Sequence, residues 1–126
     1  MQQFNQQCYN FVNNTKTWAE AEAECNNQSW KGIQGHLAFI QTEEENSFVY
    51  GLSKSESVWL GGNDVQNEGT WSWTDGSPLT YINWHSGEPN NKDCKEHCLI
   101  QRSPLKWIDV VCDAKFKSVC KFTESK

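Results

Sequence analysis

Oxygen-bearing side chains crowd one stretch of this chain, where Glu88, Asn90, Asn91 and Glu96 follow in quick succession and Asp109 comes after a gap. Carboxylates and amides gathered on a constrained loop are what a hard cation such as calcium requires, since it takes roughly six to eight oxygen ligands. Other chemistry has less support. No nucleophile stands beside a paired base, no glycine-rich phosphate loop is present, and His36, His85 and His97 form no complete zinc motif. The chain is therefore expected to bind and not to catalyse.

The elements that must hold this stretch can be read from periodicity. Cys8-Tyr9-Asn10-Phe11-Val12 alternates apolar and polar residues and predicts a strand that opens the fold. Thr17 with Glu20 forms a capping box, and Trp18, Ala21 and Cys25 share one helical face, predicting a helix over 18–26. His36 to Ile40 reads as a strand. A second capping box, Thr42 with Glu45, opens a helix to about Leu52 with Phe48, Val49 and Leu52 as its apolar stripe. Val58 to Gly62 and Trp71-Ser72-Trp73 read as core strands. Strands are also expected at Cys98-Leu99-Ile100, Trp107 to Val111 and Lys117 to Phe122. Helices early and strands late predict an α+β fold. Between Asp75 and Asp93 almost nothing is periodic, and so long an irregular stretch in a small domain is usually functional or disordered. Tyr81 and Trp84 inside it favour an ordered, functional loop.

The whole chain bounds these readings. With 126 residues, 37% hydrophobic and 13% aromatic, it suits one domain over 1–126 with an aromatic-rich core, and each buried indole N–H must find an acceptor. A net charge of −5 argues against nucleic acid or an anionic membrane as partner, and no segment is apolar enough for a membrane helix. Six cysteines suggest disulfides and a secreted or extracellular location. The start at Met1-Gln2-Gln3-Phe4 lacks the apolar run of a signal peptide, so any such signal is expected to have been removed upstream. Asn13-Asn14-Thr15 and Asn27-Gln28-Ser29 match the N-glycosylation pattern, which chance also produces in an asparagine-rich chain.

Several separated motifs carry a family resemblance. Trp59-Leu60-Gly61-Gly62, the run from Glu68 to Leu79, Glu88-Pro89-Asn90, and Cys98, Trp107, Asp109, Cys112 and Cys120 at their spacings together resemble the C-type lectin domain over nearly the whole chain. Within that family the chain resembles the mannose-type receptor lectins of the dendritic-cell surface. The resemblance implies two helices flanking small antiparallel sheets and a long irregular ligand loop. It also implies the bridges Cys25–Cys120 and Cys98–Cys112, whereas sequence alone permits about fifteen pairings of six cysteines. Cys8 and Cys94 are left over. They pair with each other, pair with another chain as a disulfide-linked dimer, or stay reduced.

For function, the resemblance implies a calcium-dependent, carbohydrate-binding lectin of the mannose, fucose or N-acetylglucosamine type, recognising cell-surface or microbial glycans. Glu88, Asn90, Glu96 and Asp109 map onto the ligands of the sugar-binding calcium, with a cis proline turning Glu88 and Asn90 inward. A sugar's vicinal diol would then bind calcium while each hydroxyl bonds a carboxylate and an amide. Asp64, Glu68 and Asn91 map onto a second calcium site. Two residues depart from the pattern. Ile108 stands where sugar-binding members carry asparagine, and His97 stands where the second site expects aspartate; imidazole suits a transition metal better. Glu88-Pro89-Asn90 also reads as an ordinary surface turn, and Asp64 and Glu68 as solvated turn residues. Lys92, Lys95, Arg102 and Lys106 cluster in sequence near the loop, as a solvated face or an attraction for anionic glycans. The alternative function is a calcium-independent lectin-like module that binds a protein or an anionic glycan or surface.

Overall fold

The structure, a computed structural model, describes residues 2–89, 95–103 and 105–123. It opens with a hairpin of β1 (Gln2–Phe4) and β2 (Gln7–Lys16), so the predicted first strand is both longer than Cys8–Val12 and second in order. The turn between them is Asn5-Gln6, with φ of 50° and 67°. Positive φ at both central residues matches the twist of a two-residue hairpin. Gln6 stands where glycine would normally announce such a turn, which hides it from sequence reading.

Helix α1 (Trp18–Asn26) has the predicted span and the complete Thr17–Glu20 capping box. Three short strands follow, β3 (Ser29–Trp30), β4 (Ile33–Gln34) and β5 (His36–Leu37), the last far shorter than the expected 36–40 strand. Helix α2 (Glu43–Leu52) is capped by the Thr42 hydroxyl, which accepts from Glu45 N at 3.0 Å. The box is not closed as predicted. The Glu45 carboxylate instead accepts from Gln41 N at 2.8 Å and turns into the core toward Tyr9 and Lys121.

The remaining strands are β6 (Val58–Asn63), β7 (Glu96–Arg102), β8 (Lys106–Val111) and β9 (Phe116–Phe122). Trp71-Ser72-Trp73 forms no strand, because only Ser72 bridges to Asn63 and Pro78 while both indoles turn to packing. The main sheet runs β1-β2-β9-β6-β7-β8, with β5 also on β9; β9 is antiparallel to β2 and parallel to β6. β3 and β4 pair separately. Gly61 lets β6 approach β5, since a Cβ there would stand 2.9 Å from the Leu37 carbonyl oxygen.

One apolar cluster gathers Ile40, Val49, Leu60, Trp73, Leu99, Trp107 and Val119, and a second surrounds Cys25, Leu37, Trp59, Cys98, Ile100 and Phe122. Cys25–Cys120 ties α1 to β9 and Cys98–Cys112 closes β7 onto the end of β8, the two bridges expected. In the chain-entropy picture a loop near the length closed by the first contributes about 4–5 kcal/mol. Cys8 lies buried in β2 opposite Phe122, and Cys94 lies outside the described residues. The indoles are satisfied: Trp18 donates to Leu60 O at 3.0 Å and Trp59 to Lys16 O at 2.7 Å.

The core also holds a charge. The Lys121 side chain is fully buried, donates to the Glu45 carboxylate and to Phe39 O at 3.0 Å, and lies 3.6 Å from the centre of the Phe39 ring. Tyr9 donates to the same carboxylate. Burial pulls the Lys121 ammonium below its ordinary pKa, against the opposing pull of Glu45. Burial likewise pushes the Tyr9 phenol well above its usual range, reinforced by its bond to Glu45. Removing one partner strands the other, so Glu45→Ala is expected to cost about 3–5 kcal/mol in urea unfolding. The double variant Glu45→Leu with Lys121→Met is expected to recover most of that loss.

Candidate functional site

The long loop is held by one tryptophan. Trp107, fully buried on β8, donates its indole N–H to Asn46 Oδ1 at 3.0 Å and Gln101 Oε1 at 3.2 Å. The rings of Trp73, Tyr81 and Trp84 meet it edge-on, at centroid distances of 5.7, 5.7 and 6.1 Å. Its backbone is used as well: Trp107 N donates to Asn83 O at 2.9 Å, and Trp107 O accepts from His85 N at 2.8 Å. In the sequence this aromatic clamp is only partly visible, through Tyr81 and Trp84. Buried Asn46 and Gln101 carried no signal, because their role exists only once α2 and β7 meet over the indole.

From that anchor the loop turns back on itself. Glu88 N donates to His85 O at 2.9 Å, Gly87 takes a φ of 85°, and the Glu88–Pro89 bond is cis, the geometry expected from the resemblance. Glu88 thereby comes within hydrogen-bonding reach of Asp109, two residues beyond Trp107 on the same face of β8 and almost fully buried. Glu96, at the start of β7 and paired in register with Val111, adds its charge to the same place. The hydrogen bond to Asp109 raises the Glu88 pKa to about 7, together with burial and the negative charges of Asp109 and Glu96. Three of the expected ligands, Glu88, Glu96 and Asp109, are thus brought together; the fourth, Asn90, lies outside the described residues. Crowded carboxylates of this kind form an all-oxygen donor set that fits a hard dication.

Ile108 faces away from this cluster. Strand alternation sets it opposite Ile100 in register, packed against the cluster of Cys98, Trp59 and Ile100. Its side chain is occupied in packing where the resemblance leads one to look for a ligand.

The second expected group assembles differently. Register pairs Asn63 with Cys98, so the next residues, Asp64 and His97, meet across β6 and β7, with Asp64 N donating to His97 O at 3.0 Å. A turn with Gly69 at φ 83° returns the chain, and Gly69 N donates to Asp64 Oδ2 at 2.8 Å. His97 Nδ1 then lies 2.9 Å from Asp64 Oδ1 and 3.6 Å from Glu68 Oε1. Asp64 is therefore buried and bonded, Glu68 stays more than half exposed on its turn, and Asn91 lies outside the described residues. The one imidazole nitrogen among these two carboxylates does not fit calcium, which takes oxygen.

The basic residues divide along the β7–β8 hairpin: Lys95 directly precedes Glu96, while Arg102 and Lys106 pair at the other end, about 10 Å from Asp109 and about 20 Å from Glu96 at 3.3 Å per residue. Lys106 does touch the loop, donating to Asn83 Oδ1 at 3.1 Å, five residues before Glu88. Lys92 lies outside the described residues.

A family model, the lectin C-type domain, matches residues 14–122. The chain belongs to the C-type lectin domain family. That family is a lectin-type, carbohydrate-binding domain and not an enzymatic one. A C-type lectin of Micrurus corallinus is 40% identical over 122 residues, covering 90% of this chain and 75% of that protein. The solved structure of an EPNH mutant of CEL-I, a C-type lectin from Cucumaria echinata, superposes with a TM-score of 0.91 at 31% identity, covering 98% of this chain and 94% of the other. A calcium-independent type II antifreeze protein is also similar, with a TM-score of 0.84 at 34% identity over 95% of this chain and 88% of its own. The lectin fold thus occurs in relatives described as working without calcium. Among the described residues no helix is long and apolar enough to cross a membrane.

The carboxylate cluster has a direct consequence for stability. Because the folded-state pKa of Glu88 is raised, its protonated form favours folding below the unfolded value, and that contribution is lost as pH rises through about 7. Thermal melts in EDTA from pH 5 to pH 8 are expected to show this decline in the wild-type chain, and Glu88→Gln to flatten it.

Proposed function

We propose that this C-type lectin domain binds calcium at Glu88, Asn90, Glu96 and Asp109, and through that ion recognises glycans of the mannose, fucose or N-acetylglucosamine type. The observation that carries the reading is the convergence of Glu88, Glu96 and Asp109 at the end of the clamped loop. When bound, calcium supplies a Lewis-acidic centre for a sugar's vicinal diol. The chain's own residues orient that diol: Glu88 accepts from one hydroxyl, and Asn90, its neighbour across Pro89, donates an amide N–H to the other. Equatorial hydroxyls suit this acceptor and donor order. The glycans are cell-surface or microbial, the domain spans 1–126, and it works secreted or outside the cell, where its two disulfides persist.

Calcium sites in extracellular modules have Kd on the order of 10⁻⁴–10⁻³ M. At tenfold excess over such a Kd the bound ion stabilises by about 1.4 kcal/mol, expected as a rise of about 5 °C in Tm for a domain of this size. The protein is expected to stay on mannan–agarose in calcium and elute in EDTA. Asp109→Asn should lose both the thermal shift and the retention. Retention that survives EDTA would sink the calcium reading.

The packing of Ile108 favours a second reading, a calcium-independent module that binds a protein or an anionic glycan or surface. An unchanged Tm in millimolar calcium, with mannan binding absent, would select it. A disulfide-linked dimer, if formed, uses Cys94, since Cys8 is buried. A dimer band on a non-reducing gel that Cys94→Ser abolishes is the expected result.

A further inference from the structure

The group of Asp64, Glu68 and His97 has no place in the sugar-site reading, yet it is the one group among the described residues whose donor atoms already lie as close together as metal ligands. One ligand atom from each falls within 4.8 Å of the others. Each residue is positioned by a separate part of the fold. Asp64 is held at the end of β6, its side chain only 1% exposed and its Oδ2 fixed by Gly69 N–H. His97 comes from the start of β7, with its imidazole 30% exposed. Glu68 returns from the intervening turn and is 55% exposed, which leaves one side of the group open to water.

We propose that this triad is a site for a borderline d-block dication, zinc first among them, and that it selects against calcium. Two arguments converge. The first is donor chemistry: two carboxylate oxygens with one imidazole nitrogen suit zinc, whereas calcium's bonding is to oxygen alone. The second is spacing. Tetrahedral zinc with bonds of about 2.0–2.2 Å sets its ligand atoms about 3.3–3.6 Å apart. The His97 Nδ1 distances of 2.9 Å and 3.6 Å to the two carboxylates bracket that edge. Zinc binding therefore opens the shorter contact by a few tenths of an ångström, and the carboxylates need close only from within 4.8 Å of each other. Water completes the fourth position on the open side. His36, 2.8 Å from Glu22 Oε2, is the contrasting case, since among the described residues it belongs to no such group of three ligand atoms.

The test is calorimetric titration of the intact chain with zinc chloride in the presence of millimolar calcium, with cobalt(II) as a spectroscopic probe. One zinc equivalent is expected, together with the visible absorption of low-coordinate cobalt. His97→Ala and Glu68→Gln should each weaken zinc at least about tenfold, the size of effect seen when even supporting groups of a metal site are removed. Glu68→Gln changes a half-exposed side chain, so it reports even if His97→Ala folds poorly. His36→Ala should leave the titration unchanged. His97→Asp, which restores an oxygen donor, should lower zinc affinity and raise calcium stoichiometry by one. Asp109→Asn should retain the zinc equivalent while losing mannan retention, which separates this site from the sugar site. No zinc heat in the wild-type chain, or zinc binding indifferent to His97→Ala and Glu68→Gln, would overturn the proposal.

Discussion

The whole of the long-loop end of this molecule depends on the burial of Trp107. A fully enclosed indole must hand its N–H to an acceptor, and here it has two, one from α2 and one from β7. Its ring faces are covered by loop aromatics, and its peptide N–H and C=O bond to Asn83 and His85. An otherwise irregular segment is thereby fixed at both ends of one residue. Asp109 follows on the same face of the strand, and the turn after His85 carries Glu88 to it. A truncation at Trp107 would release the loop, so the positions of the carboxylates are a product of aromatic packing before they are a product of electrostatics.

Much of this was legible in the sequence. The two helices are marked by their caps, and α1 has the predicted bounds because Thr17 and Glu20 satisfy each other locally. The later strands follow from apolar runs, and the resemblance supplied both bridges. What escaped has a common cause. Glu45 looks like half of a capping box, but a buried lysine more than seventy residues away claims its carboxylate. Trp71 and Trp73 look like alternate positions of a strand, but their indoles pack against other rings, and local pattern cannot distinguish the two. Arg102 and Lys106 pair at the opposite end of the β7–β8 hairpin from Glu96, a separation that sequence proximity to the loop does not reveal.

The two departures from the family pattern have different fates. Ile108 is absorbed: strand alternation turns it to the opposite face from Asp109, where it packs against the apolar cluster that contains Cys98. His97 cannot be absorbed in that way. It stands beside a buried aspartate and within reach of a glutamate, so an imidazole nitrogen joins two carboxylates there. Glu96 and His97 are successive residues on β7, so neighbouring side chains of one strand serve two separate groups of carboxylates.

Lys121 bears on how the sheet is assembled. Strand β9 is buried from Ser118 to Phe122, and a slip of one residue would turn each of its side chains to the other face. The register that sets Lys121 opposite Tyr9 and His36 also delivers its ammonium to Glu45. A slip by one residue would aim that charge elsewhere and leave Glu45 facing Tyr9 alone. The buried cation thus serves as a proofreading mark: the chain can complete its central strand in one alignment, and a misaligned sheet is rejected by its own unanswered charge.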